Sequence, residues 1–157
     1  MNPGAPPRSN GGVFTLHFLA KLKGLVPLFL RATLGYSFFL VHGLDKVRPG
    51  GKWDFGEAFA QQGAQLAPTA LLYVAAWTEF LAGLGILVGL LTRWACVGIC
   101  CVMGYAIFKV HWSAGYAAPA GYEMALSYAT AALALMIVGP GSLSLDRMFF
   151  GRKVLGA

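Results

Sequence analysis

The chain has 157 residues, of which 57% are hydrophobic and only 11% are charged, and its formal net charge is +6. Soluble domains usually contain about 25% charged residues, so this composition excludes an ordinary water-soluble domain. Together with a mean hydropathy of +0.64, it predicts an all-α integral membrane protein whose first partner is the lipid bilayer. We attribute the positive charge to membrane orientation and expect no nucleic-acid binding.

The N-terminal region precedes the first apolar segment. Residues 1–12 are rich in Pro, Gly and Asn and are predicted to form a disordered tail. In the segment that follows, Phe14, Phe18 and Leu22 recur at four-residue spacing beside two lysines, a pattern typical of an interfacial amphipathic helix. A simple extension of the first span fits this pattern equally well. No apolar signal-peptide core precedes that span, which is therefore expected to be an uncleaved anchor.

Four apolar segments, roughly at 25–46, 68–91, 94–112 and 121–138, are predicted to cross the membrane. A hydrocarbon core about 30 Å thick needs about 20 helical residues. Gly and Pro directly after the fourth segment should end it sharply. Residues 13–157 are thus predicted to form one four-helix transmembrane domain, an integral membrane four-helix bundle.

The distribution of cations predicts the orientation of this bundle. Lysine and arginine are more frequent on the cytoplasmic side of membrane proteins. Of the two possible orientations, the one with both termini inside places more of the lysines and arginines on that side. That side would carry Arg8, Lys21, Lys23, Arg93, Arg147, Arg152 and Lys153, against Lys46, Arg48, Lys52 and Lys109 outside. We therefore expect a multi-pass protein of the inner (cytoplasmic) membrane, N-in and C-in.

One face of the first span is basic. Arg31, Gly35, Phe38, His42 and Lys46 follow one another at steps of three or four residues and therefore share a helical face. Because a charged side chain costs at least about 2.5 kcal/mol near the bilayer centre, this stripe is expected to face the interior of the bundle.

Glu79 lies in the middle of the second span, among small residues that permit close helix packing. Counting about 1.5 Å per residue from Leu25 and Leu91 places Glu79 level with Ser37, with Arg31 as its predicted partner. Arg31, His42, Lys46 and Glu79 form the candidate buried polar network. Such a network either fixes helix register or marks a working site, and the sequence leaves both open.

A second cluster of polar residues is predicted near the outer surface. It consists of His42, Lys46, Lys109, His111, Tyr122 and Glu123. Imidazole and ammonium donors suit the carbonyl oxygens of a quinone, so the cluster is a candidate site for a quinone head group or another anion. An interfacial belt of Tyr, Trp and Lys without any ligand is the alternative. The loop Pro49–Gln65, with three aromatic residues, is predicted to fold over this cluster.

Motifs for the commoner cofactors are not found. Cys96, Cys100 and Cys101 contain no C-x-x-C pair and are expected to be reduced, replaceable hydrophobic residues. No His, Cys or carboxylate group shows metal-ligand spacing. No cofactor is evident from the sequence; a quinone is compatible with the outer cluster, and bis-histidine haem ligation by His42 and His111 is a much less favoured alternative. No catalytic residue is assigned.

Several short motifs resemble those of the DoxX/DoxD family of small four-helix membrane proteins. They are Arg31-x-x-x-Gly35, HGLDK at His42–Lys46, Glu79, GLLTR at Gly89–Arg93 and GPGSLSLD at Gly139–Asp146. The resemblance spans about Leu25 to Asp146. It implies a four-helix membrane bundle and, for some members, the membrane subunit of a quinone-linked sulfur oxidoreductase.

Three classes of function are compatible with these features. The first is a DoxX-like membrane subunit associated with a quinone-linked oxidoreductase and its protein partners. The second is a non-enzymatic subunit that anchors or stabilises a larger membrane complex. The third, a small carrier or proton path through Glu79, is the least favoured because four helices leave little room for alternating access.

Overall fold

The computed structural model describes residues 22–48, 69–117 and 120–154, and every regular element in these ranges is a helix. The predicted all-α fold is confirmed. The predicted N-terminal tail, most of the predicted interfacial helix and the loop 49–65 lie outside the described residues. The helices are α1 (Lys23–Val47), α2 (Thr69–Val88), α3 (Thr92–Ala114), α4 (Glu123–Val138) and α5 (Leu145–Val154).

Two of the long helices change their winding along their length. After a first turn that contains Pro27, where proline is tolerated, α1 is α-helical to Tyr36 and then π-helical over Ser37–Gly43. In α3 a π-helical segment occupies Ala106–His111. π-Helical turns are rare and occur frequently at functional sites, so these two segments single out the end of the bundle that carries them.

The first four helices pack in a ring in which α1 contacts α2, α2 contacts α3, α3 contacts α4 and α4 contacts α1. Glycine lets α1 and α2 approach closely, since a Cβ on Gly35 would lie 2.6 Å from the Cα of Leu87 and one on Gly43 would lie 2.5 Å from that of Phe80. The buried core between the helices consists of Leu34, Phe38, Ile86, Cys96, Ile99, Met103, Ile107, Ala125, Ala132 and Leu135.

A short turn joins α2 to α3. The sequence predicted that the second span extends to Leu91, but α2 ends at Val88 because Gly89 takes a left-handed conformation, with φ of +73°. The Gly89 amide donates to the carbonyl of Ile86 and the Leu90 amide to that of Gly85, which is the hydrogen-bond pattern of a Schellman C-cap. Leu91 is also left-handed, so the chain reverses within three residues.

The outer surface of the bundle is apolar and suited to lipid. Phe29, Val74, Leu81 and Ile137 are each more than half exposed, and contiguous exposed apolar surface on this scale is not sustained in water. Three of the described helices, α1, α2 and α3, are long and apolar enough to cross a membrane. Helix α4 has 16 residues, about 24 Å at 1.5 Å per residue. The molecule is a multi-pass membrane protein.

Candidate functional site

Arg31 holds together one end of the bundle, which we call the arginine end and define by Arg31, Arg93 and Asp146. The Arg31 side chain is only 3% exposed. Its Nε donates to the carbonyl of Ile86 at 3.0 Å and its Nη2 to that of Leu87 at 3.0 Å. Its Nη1 donates to the carbonyls of Pro140 and Leu143. Arg31 thus donates to carbonyls at the C-terminus of α2, where orphan carbonyls occur, although that of Ile86 also accepts the Gly89 amide. It also ties the turn after α4 to α1.

Asp146 completes this joint. Its two carboxylate oxygens accept the backbone amides of Leu91 at 2.6 Å and Thr92 at 2.9 Å, so it caps the N-terminus of α3. The Asp146 amide in turn donates to the carbonyl of Gly89 at 2.7 Å, and its carboxylate interacts electrostatically with Arg31. Three of the sequence motifs therefore meet at the arginine end in one structural joint.

The predicted pairing of Glu79 with Arg31 is wrong. Lys46 Nζ donates to Glu79 Oε2 at 2.5 Å, and the side chains of Lys46 and Glu79 are 21% and 5% exposed. Arg31 donates instead to the four carbonyls at the opposite end of the bundle. The candidate polar network is therefore divided, with Arg31 at the arginine end and Lys46, Glu79 and His42 together at the other.

The error lies in the assumed register of the first two helices. Gly43 lies against Phe80, so Glu79 lies near the level of Gly43 and not of Ser37. This difference of about six residues corresponds to about 9 Å. The difference in register arises because the α2–α3 turn lies against Arg31, next to the segment that follows α4. Helix α1 begins before Arg31 and therefore extends beyond that turn. Leu25 and Leu91 are thus not at the same depth.

Lys46 and Glu79 line a cavity of about 190 Å³. His42 and His111 line it too, and we call it the histidine cavity. The ring of His42 lies 5.8 Å from that of Phe38 and 5.8 Å from that of Tyr128. The lining residues are Phe38, His42, Lys46, Glu79, Met103, Ala106, His111, Gly121, Met124, Ala125 and Tyr128. Two clusters that the sequence treated separately thus share one cavity.

The π-helical segments contribute residues to this cavity from two sides. Phe38 and His42 belong to the segment in α1, and Ala106 and His111 to the segment in α3. A π turn holds more residues than an α turn, which changes the direction of the side chains that follow it. No pattern of apolar residues signals this winding, and the sequence did not predict it. Tyr128 was missed as well, because it is an isolated aromatic residue in an apolar helix.

Three members of the predicted outer cluster do not line the histidine cavity. Lys109 is exposed. The ring of Tyr122 stacks on Trp112 with centroids 5.5 Å apart and planes 13° apart. Glu123 begins α4 in the same region. Since Trp112 and Tyr116 are exposed beside them, these residues match the predicted alternative of an interfacial belt, whereas His42, Lys46 and His111 belong to the cavity.

The cavity combines acid–base groups with apolar walls. Glu79 and Lys46 both interact electrostatically with His42. The Nδ1 of His111 lies 3.0 Å from the carbonyl oxygen of Ala120; as a donor in this contact, it makes Nε2 the acceptor in the neutral ring. Such a set can donate hydrogen bonds to ligand oxygens and exchange protons with them. Within the described residues, no group of three or more His, Cys, Asp or Glu side chains could hold a metal ion.

The cysteines lie away from the histidine cavity and form no disulfide within the described chain. Cys96 is buried in the core, the Cys100 thiol lies 3.7 Å from the carbonyl of Ala129, and Cys101 is exposed on the outer face of α3. That all three can be replaced without loss of activity stays a prediction.

A larger groove in the described part of the chain is lined mainly by apolar residues and not by acid–base groups. It has a volume of about 770 Å³ and runs between α2 and α3, where aromatic and aliphatic side chains from Tyr73 to Gly98 form most of its walls. No charged side chain lines it, so it offers a surface for lipid and no acid–base chemistry. The histidine cavity is therefore the candidate functional site.

The chain was compared with known protein families. The family model described as DoxX matches residues 26–112, which include nearly all of α1, all of α2 and nearly all of α3. The matched range contains four of the five polar residues that line the histidine cavity, His42, Lys46, Glu79 and His111, and also Arg31. No curated protein and no solved structure matches the chain significantly.

Proposed function

The chain belongs to the DoxX family, and from this premise we propose that it is the membrane subunit of a quinone-linked oxidoreductase and binds the quinone head group in its histidine cavity. The observation that supports this proposal is the convergence of His42, His111 and the Lys46–Glu79 pair on one small cavity among the helices. Sulfur compounds are the proposed electron source, in keeping with the resemblance noted for some members of the family.

The size of the cavity favours a head group over a larger ligand. Pockets that enclose drug-sized molecules measure about 300–1,000 Å³, whereas the histidine cavity measures about 190 Å³ and suits one ring. Phe38 and Tyr128 supply aromatic walls, with ring centroids 5.0 Å apart. Met124 lines the cavity and is itself 53% exposed. An apolar quinone tail would leave the cavity past Met124 into the bilayer.

The polar residues supply what quinone reduction requires from a protein. A quinone that accepts two electrons also takes up two protons, one on each carbonyl oxygen. The Lys46 ammonium and the His42 N–H can donate hydrogen bonds and then protons to these oxygens. Glu79 would accept a proton from water on the adjoining side of the membrane and pass it to Lys46 or His42, which restores both donors. The electrons would come from a redox centre on a partner subunit. This assigns binding and proton transfer to the chain and electron delivery to its partner.

The proposed orientation places this cavity near the outer face of the cytoplasmic membrane, with both termini inside. The arginine end, which carries Arg93 and Arg147, would then lie on the cytoplasmic side in accordance with the positive-inside rule.

Quinone retention tests the proposal. The protein is purified in mild detergent after equilibration with a short-chain ubiquinone, and the bound quinone is extracted and quantified. The parent should retain close to one quinone per chain. His111→Leu removes a polar group and Ala106→Leu fills part of the cavity, so both should lower retention at least about tenfold, or about 1.4 kcal/mol. Lys109→Met, at the same end but outside the cavity, is the matched control and should retain quinone normally. Equal retention by all four proteins would refute the proposal.

A second candidate function is a non-enzymatic subunit that anchors or stabilises a membrane complex. It is favoured by a specific observation: the buried charges already have partners within the protein, with Lys46 paired to Glu79 and Arg31 bonded to four carbonyls. Such charges can fix helix register without any ligand. This candidate predicts that Lys46→Met combined with Glu79→Gln assembles with its partners and retains full function. The oxidoreductase proposal predicts assembly with loss of quinone reduction.

A further inference from the structure

A groove of about 460 Å³ opens at the arginine end between α3, α4 and α5. We propose that it binds an anionic phospholipid, with the phosphate against Thr92 and Arg93 and one acyl chain against Val97 and Met136. This site is separate from the histidine cavity and does not depend on the function proposed for it.

The head of the groove contains a buried polar atom without a partner. Thr92 is 0% exposed, it lines the groove, and within the described part of the chain its hydroxyl Oγ1 has no hydrogen-bond partner. A buried hydroxyl without a hydrogen-bond partner is unfavourable, because it has lost its bonds to water. A phosphate oxygen at the groove would accept this hydroxyl's hydrogen and remove that cost.

The charge at this position favours an anion. Thr92 is the first residue of α3, where the helix dipole presents its positive end. The Arg93 side chain, which also lines the groove, extends toward the C-terminus of α4, since a Cβ on Gly139 would lie 3.5 Å from Arg93 Nη2. Asp146 lines the groove too, but both of its oxygens already accept amides of the α2–α3 turn and its charge is opposed by Arg31.

The remainder of the groove is apolar and follows α3 into the membrane. Val97 lies five residues beyond Thr92, about 7.5 Å deeper along the helix, and it is 41% exposed. Met136 of α4 and Phe150 of α5 form the other walls. A phosphate with an acyl chain attached has the same arrangement, polar at the surface and apolar below it.

The composition of the segment that contains α5 is a second observation that favours anionic lipid beside the groove. Met148, Phe149 and Phe150 are exposed, and Arg147 belongs to the same stretch of helix. Helical geometry is interrupted at Gly151, and Arg152 and Lys153 follow it in the sequence. Exposed aromatic residues combined with cations are typical of helices that lie in the headgroup region. Lys and Arg near an anionic leaflet are attracted to its negative surface potential. The groove thus opens into a region enriched in the proposed ligand.

Native mass spectrometry of the detergent-purified protein tests the proposal. The protein is incubated with equal amounts of phosphatidylglycerol and phosphatidylcholine, and the bound lipid is counted. The parent should retain phosphatidylglycerol preferentially. Arg93→Gln should lower that retention about fivefold, the equivalent of about 1 kcal/mol. Val97→Trp, a change at a partly exposed position that blocks the acyl path, should lower it similarly. Lys109→Gln removes an exposed cation at the opposite end and should have no effect.

Thermal unfolding supplies a readout that distinguishes the ligand. Phosphatidylglycerol should raise the unfolding temperature of the parent. It should raise that of the Thr92→Val variant by less, because the hydroxyl that contacts the phosphate is gone. Inorganic phosphate should have no comparable effect, because it lacks the acyl chain. Equal retention of the two lipids by the parent would overturn the proposal, as would unchanged retention in both groove variants. Stabilisation by inorganic phosphate equal to that by lipid would identify a simple anion site and overturn the assignment to a phospholipid.

Discussion

Removing either partner of the Lys46–Glu79 pair should destabilise the bundle, and the two losses should be unequal. The Glu79 side chain is 5% exposed and that of Lys46 is 21% exposed. Lys46→Met leaves a carboxylate buried without its partner, and breaking a buried pair in this way costs about 3–5 kcal/mol. Glu79→Gln leaves an ammonium on a long stem that can move toward the membrane surface. Its cost should stay near that of one lost hydrogen bond to a charged group, about 1.5–3 kcal/mol.

The double variant separates pairing from two independent effects. With Lys46→Met and Glu79→Gln together, neither charge remains buried alone, so the total loss should be smaller than the sum of the single losses by about 0.5–3 kcal/mol. Equilibrium unfolding in mixed detergent micelles measures all three variants.

The matched control is Arg48→Met, which breaks an exposed pair with Asp45 on the same helix. Arg48 Nη2 lies 3.1 Å from Asp45 Oδ1, with the Arg48 side chain 57% exposed, and such pairs contribute at most about 1 kcal/mol. If Lys46→Met is no more harmful than Arg48→Met, or if the two single losses add fully, the pair does not have the role assigned to it.

Three further predictions concern the frame of the bundle. Arg31→Lys should lower the free energy of unfolding by at least about 2 kcal/mol in the same assay, because one ammonium cannot serve four carbonyls and each buried carbonyl without a donor costs about 1–3 kcal/mol. Gly35→Ala should lower the free energy of unfolding by about 1–3 kcal/mol or more, because the added methyl group overpacks against α2. Gly104→Ala should be neutral, because a Cβ there meets nothing within 4 Å. Equal effects of the two substitutions would contradict the close packing at Gly35. Reporter fusions after Gly141 and within 52–65 should report opposite sides of the membrane, and the same side for both would refute the predicted topology.

The sequence was sufficient to predict α1 to α4 because apolar length and glycine or proline breaks are local properties, whereas it did not predict the short, less apolar α5. The all-α class followed from composition, and the end of α4 followed from Gly139 and Pro140, since a left-handed glycine and a proline stop a helix wherever they occur. These predictions needed no knowledge of how the helices pack. The sequence also grouped His42 and His111 in one outer cluster, and both line the histidine cavity, but the count from Leu25 behind that grouping used the same mistaken register.

The partner of Glu79 could not be predicted, because it depends on register between helices. The register differs by about six residues from the one assumed, which replaces Arg31 by Lys46 as the partner of Glu79. The observed register includes contacts between residues far apart in sequence, such as those of Arg31 with the carbonyls of Ile86 and Leu87. Asp146 was visible within a motif, but its role as the cap of α3 appears only when α5 packs beneath the α2–α3 turn. The π-helical segments have no sequence signal comparable to a glycine or a proline.

Photoaffinity labelling with an azido-quinone tests most directly the claim that the histidine cavity binds a quinone head group. The labelled protein, in its native membrane, is digested and the modified peptides are mapped by mass spectrometry. We predict labelling within 38–46 and 121–128, suppressed by an excess of unlabelled quinone and lost in the Ala106→Leu variant. Labelling confined to the apolar groove between α2 and α3, or labelling of 38–46 and 121–128 that unlabelled quinone does not suppress, would contradict the claim.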